Sequence, residues 1–278
     1  MHSSIAGAIG RVVVPFFDRC ARLVYCPHGW AFDRDCSFIV KALVRIIEVV
    51  LAKRTDKIIC VSRHESKIGV AAGLPNEIFR VIPNGISPHV AQNGAPIDFD
   101  PTLLNVLFVG RLDRQKGLDL VLQKYHEFSH LPICLHVVGE AVLDKRLELS
   151  TSLAKVKFYG WRDRSAVASF IASSDVVLMP SRWEAFGLVA LEAMRSSRPV
   201  IVSNRGALPE IIRHGSTGLV VDLDDFAKNA FQAIVNLGKQ NLQEMGIRGR
   251  LEFERQYTSD RMNHQTLELY GQVCRSCL

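Results

Sequence analysis

Pro180-Ser-Arg-Trp-Glu-Ala-Phe-Gly-Leu-Val-Ala-Leu-Glu192 follows directly on the apolar run Asp175 to Met179, and the rest of the chain is read outward from it. The run before it has strand character. Leu188 to Met194 is apolar except for Glu192, so the spacing predicts a strand, a loop and a buried helix opening near Gly187. Ionising a carboxylate on such a helix without partners costs roughly several kcal/mol, which gives Glu192 a reason to hold something. Free amides and the positive dipole end at a helix start attract phosphate, and a glycine there lets a ligand come close. A sugar nucleotide fits these features together, with one carboxylate for sugar hydroxyls, the helix start for the diphosphate and the other carboxylate for ribose. The plainer alternative makes Glu184 a solvated loop acid and Glu192 a partly exposed helix acid.

Upstream, Phe108-Val-Gly-Arg-Leu-Asp-Arg-Gln-Lys-Gly117 ends another apolar run with Gly110, then sets Arg111 and Lys116 around a loop before a helix from Leu118. Arginine can grip phosphate oxygens in a bidentate way, and lysine supplies a point charge for a departing diphosphate. Taken alone, such a pair is better explained as surface charge.

Apolar runs at Val106 to Val109, Ile133 to Val138, Val156 to Tyr159, Val176 to Met179, Pro199 to Val202 and Leu219 to Val221 alternate with helical segments, the mark of a parallel α/β sheet. In such sheets ligands bind at the carboxyl ends of the strands, where Gly110, Gly139, Gly160 and Ser181 fall. Before them, Leu23 to Cys26 and Lys57 to Val61 read as strands, Phe38 to Ala52 and Arg63 to Ala72 as helices, and Val81 to Pro83 as a short strand. Residues 1–87 are therefore expected to form a partial first Rossmann-like domain, 88–101 a linker rich in Pro, Gly, Asn and Asp, and 102–258 a second Rossmann-like domain. A last helix from Ser259 could cross back to the first domain. His2-Ser-Ser-Ile looks like the end of a strand and the start of a helix, with no strand before it to pack against.

The 278 residues suffice for two modest cores, and seven scattered cysteines point to a reducing, cytoplasmic setting. Cys274-Arg-Ser-Cys277 has redox-pair spacing but no second pair to complete a zinc site. No signal peptide is expected from the chain's first residues, and no stretch is apolar for long enough to span a bilayer. Phe38 to Ala52 comes closest. Lys41, Arg45 and Glu48 recur at helical spacing on one side, leaving Ile39, Leu43, Ile46, Ile47 and Val50 for the other, which is expected to pack on a sheet; membrane contact is the alternative. Of the net charge of +6, residues 1–85 carry +5, with twelve Lys+Arg against seven Asp+Glu. That asymmetry suits an anionic membrane surface or a lipid-phosphate acceptor. Nucleic acid is not expected, because aromatics do not interleave with the basic residues. Asp222-Leu-Asp224-Asp225 contains the Asp-x-Asp by which single-domain, metal-dependent sugar transferases hold a divalent ion, yet its place before a helix at Phe226 reads as capping, so no metal or other cofactor is expected.

Joined by Pro27-His28-Gly29-Trp30, Val61-Ser62, Ile82-Pro83-Asn84-Gly85 and Tyr159-Gly160-Trp161-Arg162, the two elements above make nearly the whole chain closely resemble the retaining glycosyltransferases of family 4. The resemblance implies an α/β, GT-B-like fold of two Rossmann-type domains, the N-terminal one lacking its start. It implies that Arg111 and Lys116 bind the donor diphosphate, with Gly110 at the strand end. Glu184 and the backbone of Phe186, Gly187 and Leu188 would hold the donor sugar, and Glu192 the ribose. His28 would lie near the reacting sugar carbon, and Trp161 and Arg162 beside the base. His28, Glu184, Arg111 and Lys116 are then the catalytic set. The implied reaction moves a sugar from a nucleotide-diphosphate donor to a saccharide or lipid-linked acceptor in surface polysaccharide biosynthesis. It retains anomeric configuration, and a phosphate oxygen, with no protein nucleophile, accepts the acceptor proton.

The chain departs from the pattern at Gly139-Glu140-Ala141, where a second glycine is usual, and at Arg195-Ser-Ser-Arg198, where a non-glycine left-handed stop costs about 1 kcal/mol. The strands expected before His2 amount to roughly three units, on the order of 90 residues. A start codon placed too far downstream, a second polypeptide that completes the domain, or a sugar-nucleotide-binding remnant would each explain that. A GT-B sugar-nucleotide epimerase is a further alternative.

Overall fold

Six short strands of Val, Ile and Leu give the larger part of the chain its frame: β4 (Leu104–Val109), β5 (Ile133–Val138), β6 (Val156–Phe158), β7 (Val176–Met179), β8 (Val200–Ser203) and β9 (Gly218–Val221). The computed structural model describes residues 1–18, 20–33, 37–89, 96–140 and 155–275. Ala141 and Cys277, and with them one end of each motif that includes them, lie outside the described residues. All six strands are parallel, in the order β6-β5-β4-β7-β8-β9. Every residue of β5, β7 and β8 is buried, as strands covered on both faces require. One core cluster packs Phe108, Leu118, Tyr125, Phe226 and Phe231 with the strand residues. The strand order turns back on itself between β4 and β7, and the crevice beyond their carboxyl ends is where a doubly wound sheet takes its ligands.

By its contacts the chain divides into one unit of Met1–Gly85 with Ser259–Leu278 and a second of Ile86–Thr258. The described part of the expected linker is no free tether, because Ile97 N donates to Ser173 Oγ and Phe99 stacks on His136 at 3.8 Å within the second unit. The long helix α8 (Phe226–Gln256) breaks at Gly238, whose φ of 67° and ψ of 172° are not helical.

The first unit carries a parallel sheet of β1 (Val24–Tyr25), β2 (Lys57–Cys60) and β3 (Phe79–Val81), with helices α1 (Ser4–Phe17), α2 (Phe38–Ala52), α3 (Arg63–Ala71) and the C-terminal α9 (Ser259–Arg275). His2 forms a parallel bridge with Cys26, Cys26 N donates to Met1 O, and Ser3 N to Cys26 O.

The expected orientation of α2 is corrected. Ile39, Leu43, Ile46, Ile47 and Val50 are exposed, and it is Glu48 that points inward. Glu48 meets Arg11 of α1 at 2.8 Å, both buried, while the Tyr25 hydroxyl donates to the same carboxylate and the Arg11 guanidinium lies over the Tyr25 ring. A charged pair holds the two helices down, which leaves their apolar sides, Ile5, Ile9, Phe16 and Phe17 of α1 included, facing out. No helix among the described residues is long and apolar enough to cross a membrane.

Candidate functional site

At the turn-back point, the loop after β4 and the loop after β7 are stapled together. Arg182 N donates to Gln115 O and Gln115 Nε2 to Trp183 O, while the Arg182 guanidinium spans Arg114 O and both oxygens of Asp119. Gly117 permits the approach: its φ is 71°, and a Cβ there would sit 2.0 Å from Pro180 O. Likewise a Cβ on Gly139 would meet Gly110 O at 1.8 Å, so the ends of β4 and β5 close up only with glycine at 139.

The staple brings Lys116 Nζ within 2.6 Å of Glu184 Oε2, both side chains largely shielded from water. Ser181 Oγ reaches the same oxygen at 3.5 Å, and Ala207 N donates to Glu184 O. Gly206, at φ 60°, passes under that carbonyl where a Cβ would clash. Gly187, at φ 96°, stands at the N-cap of α6 (Leu188–Arg195), and no side chain caps that helix start. A substituent on Gly187 would press on Leu208 at 2.8 Å. Phe186 is buried edge-on to Tyr257, whereas Leu188 is exposed. The site therefore combines a cation, a carboxylate and a helix start, a set suited to a diphosphate next to a hydroxyl-bearing group.

The other expected members are not bonded to this pair among the described residues. Arg111 is more than half exposed, bonded to Gln115 at 2.9 Å and paired with Asp113 at 3.2 Å. Glu192 lies half-buried within α6; its carbonyl accepts from Ser196 N, while its carboxylate has no hydrogen bond or ion pair among the described residues. Burial raises its pKa, opposed by Arg195 and then Arg164. Trp161 and Arg162 are exposed, with Arg162 Nη1 donating to Trp161 O. Ser197 adopts the left-handed conformation (φ 55°) anticipated for the Arg195 to Arg198 stop. Asp225 occupies the N-cap of α8 without a side-chain capping bond, and Asp222 Oδ1 accepts from Asp224 N.

In the first unit, His28 takes a left-handed φ of 53° and its Nε2 lies 2.8 Å from His2 Nδ1. Partial burial, and then the neighbouring His2, hold its pKa below the usual imidazole value. The turn is held by Glu65, which sequence reasoning missed. Its carboxylate accepts from Gly29 N at 2.5 Å and Val61 N at 2.6 Å, its carbonyl accepts from Trp30 Nε1, and its own amide bonds Ser62 Oγ. The Ser-x-x-Glu of a capping box was the available signal. Gln115, Asp119 and Arg182 were also missed, and nothing local marks them.

Residues 1–90 match the family model described as Glycosyltransferase Family 4, and residues 104–240 the model described as Glycosyl transferases group 1. The chain is 35% identical over 237 residues to an "Uncharacterized 41.2 kDa protein in cps region" of Klebsiella pneumoniae, covering 82% of this chain and 66% of that protein. It is 27% identical to a UDP-Gal:alpha-D-GlcNAc-diphosphoundecaprenol alpha-1,3-galactosyltransferase of Escherichia coli, covering 81% of this chain and 62% of that enzyme. The chain thus spans about two thirds or less of the length of these relatives. Its fold is that of Anabaena Alr3699/HepE, solved in complex with UDP, at a TM-score of 0.80 and 21% identity, covering 96% of this chain and 76% of that one.

Proposed function

The chain belongs to glycosyltransferase family 4, and from that premise we propose that it transfers a sugar, with retention, from a nucleotide-diphosphate donor to a lipid-linked saccharide in surface polysaccharide assembly. The observation that carries the reading is the meeting of Lys116, Glu184 and the start of α6 at the turn-back point of the sheet. Charge grows on the diphosphate as the sugar departs. Lys116, Arg111 and the α6 amides meet it without a divalent ion. Glu184 takes sugar hydroxyls and Glu192 the ribose, which gives that unpartnered carboxylate its ligand. His28, whose pKa partial burial and then His2 hold below the usual imidazole value, supports the acceptor side of the reaction.

The acceptor class rests on two supports. One is a relative whose name specifies a diphosphoundecaprenol acceptor. The other is the apolar side of α1 and α2, with exposed Lys53 and Arg54 at the end of α2, which suits an anionic bilayer on the cytoplasmic side.

Calorimetry with nucleotide sugars tests the site, and Lys116→Ala and Glu192→Ala should each weaken binding; unchanged affinity in both rejects it. Turnover with and without a lipid-linked acceptor then separates the transferase from an epimerase and from a binding remnant.

A further inference from the structure

In the first unit, the geometry points to a zinc-type cation site made by His2, Cys26 and His28. One donor atom from each lies within 4.8 Å of the other two. His2 Nδ1 and His28 Nε2 face each other at 2.8 Å, with the rings stacked at 20°, and the Cys26 sulfur completes the triangle from the buried side. The backbone fixes all three. The parallel bridge sets His2 beside Cys26, and the left-handed turn at His28, tied down through Gly29 to Glu65, brings its ring back over them. Among the described residues this is the group of three His, Cys, Asp or Glu side chains whose donor atoms converge so closely.

Two imidazoles and a thiolate form a ligand set for Zn²⁺, with Zn–N of about 2.0–2.1 Å and Zn–S of about 2.3 Å. Tetrahedral angles then put the donor atoms on the order of 3.3–3.6 Å apart. The imidazole pair, at 2.8 Å, needs to part only slightly, and the sulfur already lies within 4.8 Å of a nitrogen of each ring. A soft thiolate disfavours Mg²⁺ and Ca²⁺, and the exposed histidines leave a fourth position open to solvent. On binding, the Cys26 S–H bond breaks, a Zn–S bond forms and the proton passes to solvent. The ring that donates in the His2–His28 hydrogen bond moves its proton to its other nitrogen, so each histidine offers a lone pair. The cation takes the Nε2 of His28 and would inhibit transfer; only that consequence rests on the proposed function, whereas the site stands without it.

The test uses the full chain, reduced and freed of metal, titrated with Co²⁺ and followed by absorption, then with Zn²⁺ by calorimetry. One ion per chain is expected, with a near-ultraviolet thiolate-to-cobalt band that disappears in Cys26→Ser. His2→Ala should weaken Zn²⁺ binding at least about tenfold, the lower end of what losing even an outer-sphere partner costs. Cys274→Ser/Cys277→Ser, which removes the C-terminal pair, should change neither. Should Cys26→Ser not fold by circular dichroism, His28→Ala carries the same expectation as His2→Ala. Retention of the thiolate band in Cys26→Ser, its loss in the Cys274/Cys277 variant, or unchanged affinity in the histidine variants overturns the site.

Discussion

Lys116 Nζ and Glu184 Oε2 lie 2.6 Å apart, joining two loops that are 68 residues distant in the chain. A diphosphate arriving at Lys116 has to share that cation with a carboxylate, so the two residues should separate on mutation. Lys116→Ala should weaken binding of UDP and other nucleoside diphosphates at least about tenfold, the worth of one charge-assisted contact. Glu184→Gln removes the competing charge and should leave nucleoside diphosphate affinity equal or higher, while transfer from the nucleotide sugar falls by roughly 100-fold. Calorimetry with the diphosphate and turnover with the full donor distinguish these effects. If Glu184→Gln weakened the diphosphate as Lys116→Ala does, the division of roles would be wrong.

The buried Arg11–Glu48 pair, at 2.8 Å, is the contact from which the arrangement of α1 and α2 follows. Removing one partner strands the other charge, so Arg11→Met and Glu48→Gln should each lower stability by about 3–5 kcal/mol in denaturant titrations. Replacing both, as Arg11→Met/Glu48→Leu, should cost less than either single change, because no lone charge is then left in the core. Additive losses would mean that the pair acts only by filling space.

Glu65 gives the first unit a pH dependence of definite sign. Burial pushes its pKa up to about 7, against the pull of the Val61 and Gly29 amides. An acid whose pKa is raised on folding makes the native state bind more protons than the unfolded chain. Its effect on stability is therefore full below the unfolded value of about 4.5 and is lost as pH rises from there to about 7. Glu65→Gln, which has no proton to lose, should flatten stability across that window when denaturant midpoints are compared at successive pH values. An unchanged slope would put the titration elsewhere.

What was legible beforehand was whatever repeats locally. The strand at Ile133–Val138, the helix from Leu118 and the helix after Gly187 follow from runs and spacings within a dozen residues. Lys116 and Glu184 could each be singled out, since each sits in a distinctive loop. Their contact could not, because it depends on Arg182 reaching Asp119 from 63 residues away. The same limit misled the reading of α2. Helical periodicity separates an apolar side from a polar one without saying which is buried, and Arg11, whose partner lies 37 residues on, decided it. Glu65 was different: its Ser62-x-x-Glu65 spacing was readable, but its second carboxylate contact, to Gly29, was not.

The outward apolar side of α1 and α2 supplies the last expectation. Phe16, Phe17, Phe38, Ile39, Leu43 and Ile46 are all more than half exposed, and each large apolar side chain buried in an acyl layer is worth about 1.5–3 kcal/mol. Basic residues at the surface of an anionic leaflet add on the order of 1 kcal/mol each. The protein should therefore cosediment with vesicles containing anionic phospholipid, less with neutral ones, and less again as salt is raised. Ile39→Ser/Leu43→Ser/Ile46→Ser should reduce the bound fraction at least about tenfold while leaving nucleoside diphosphate affinity unchanged, since none of the three lies in the second unit. A wild-type protein that ignores vesicles but elutes as a dimer, and becomes monomeric in the triple variant, would assign this face to a second copy of the chain instead.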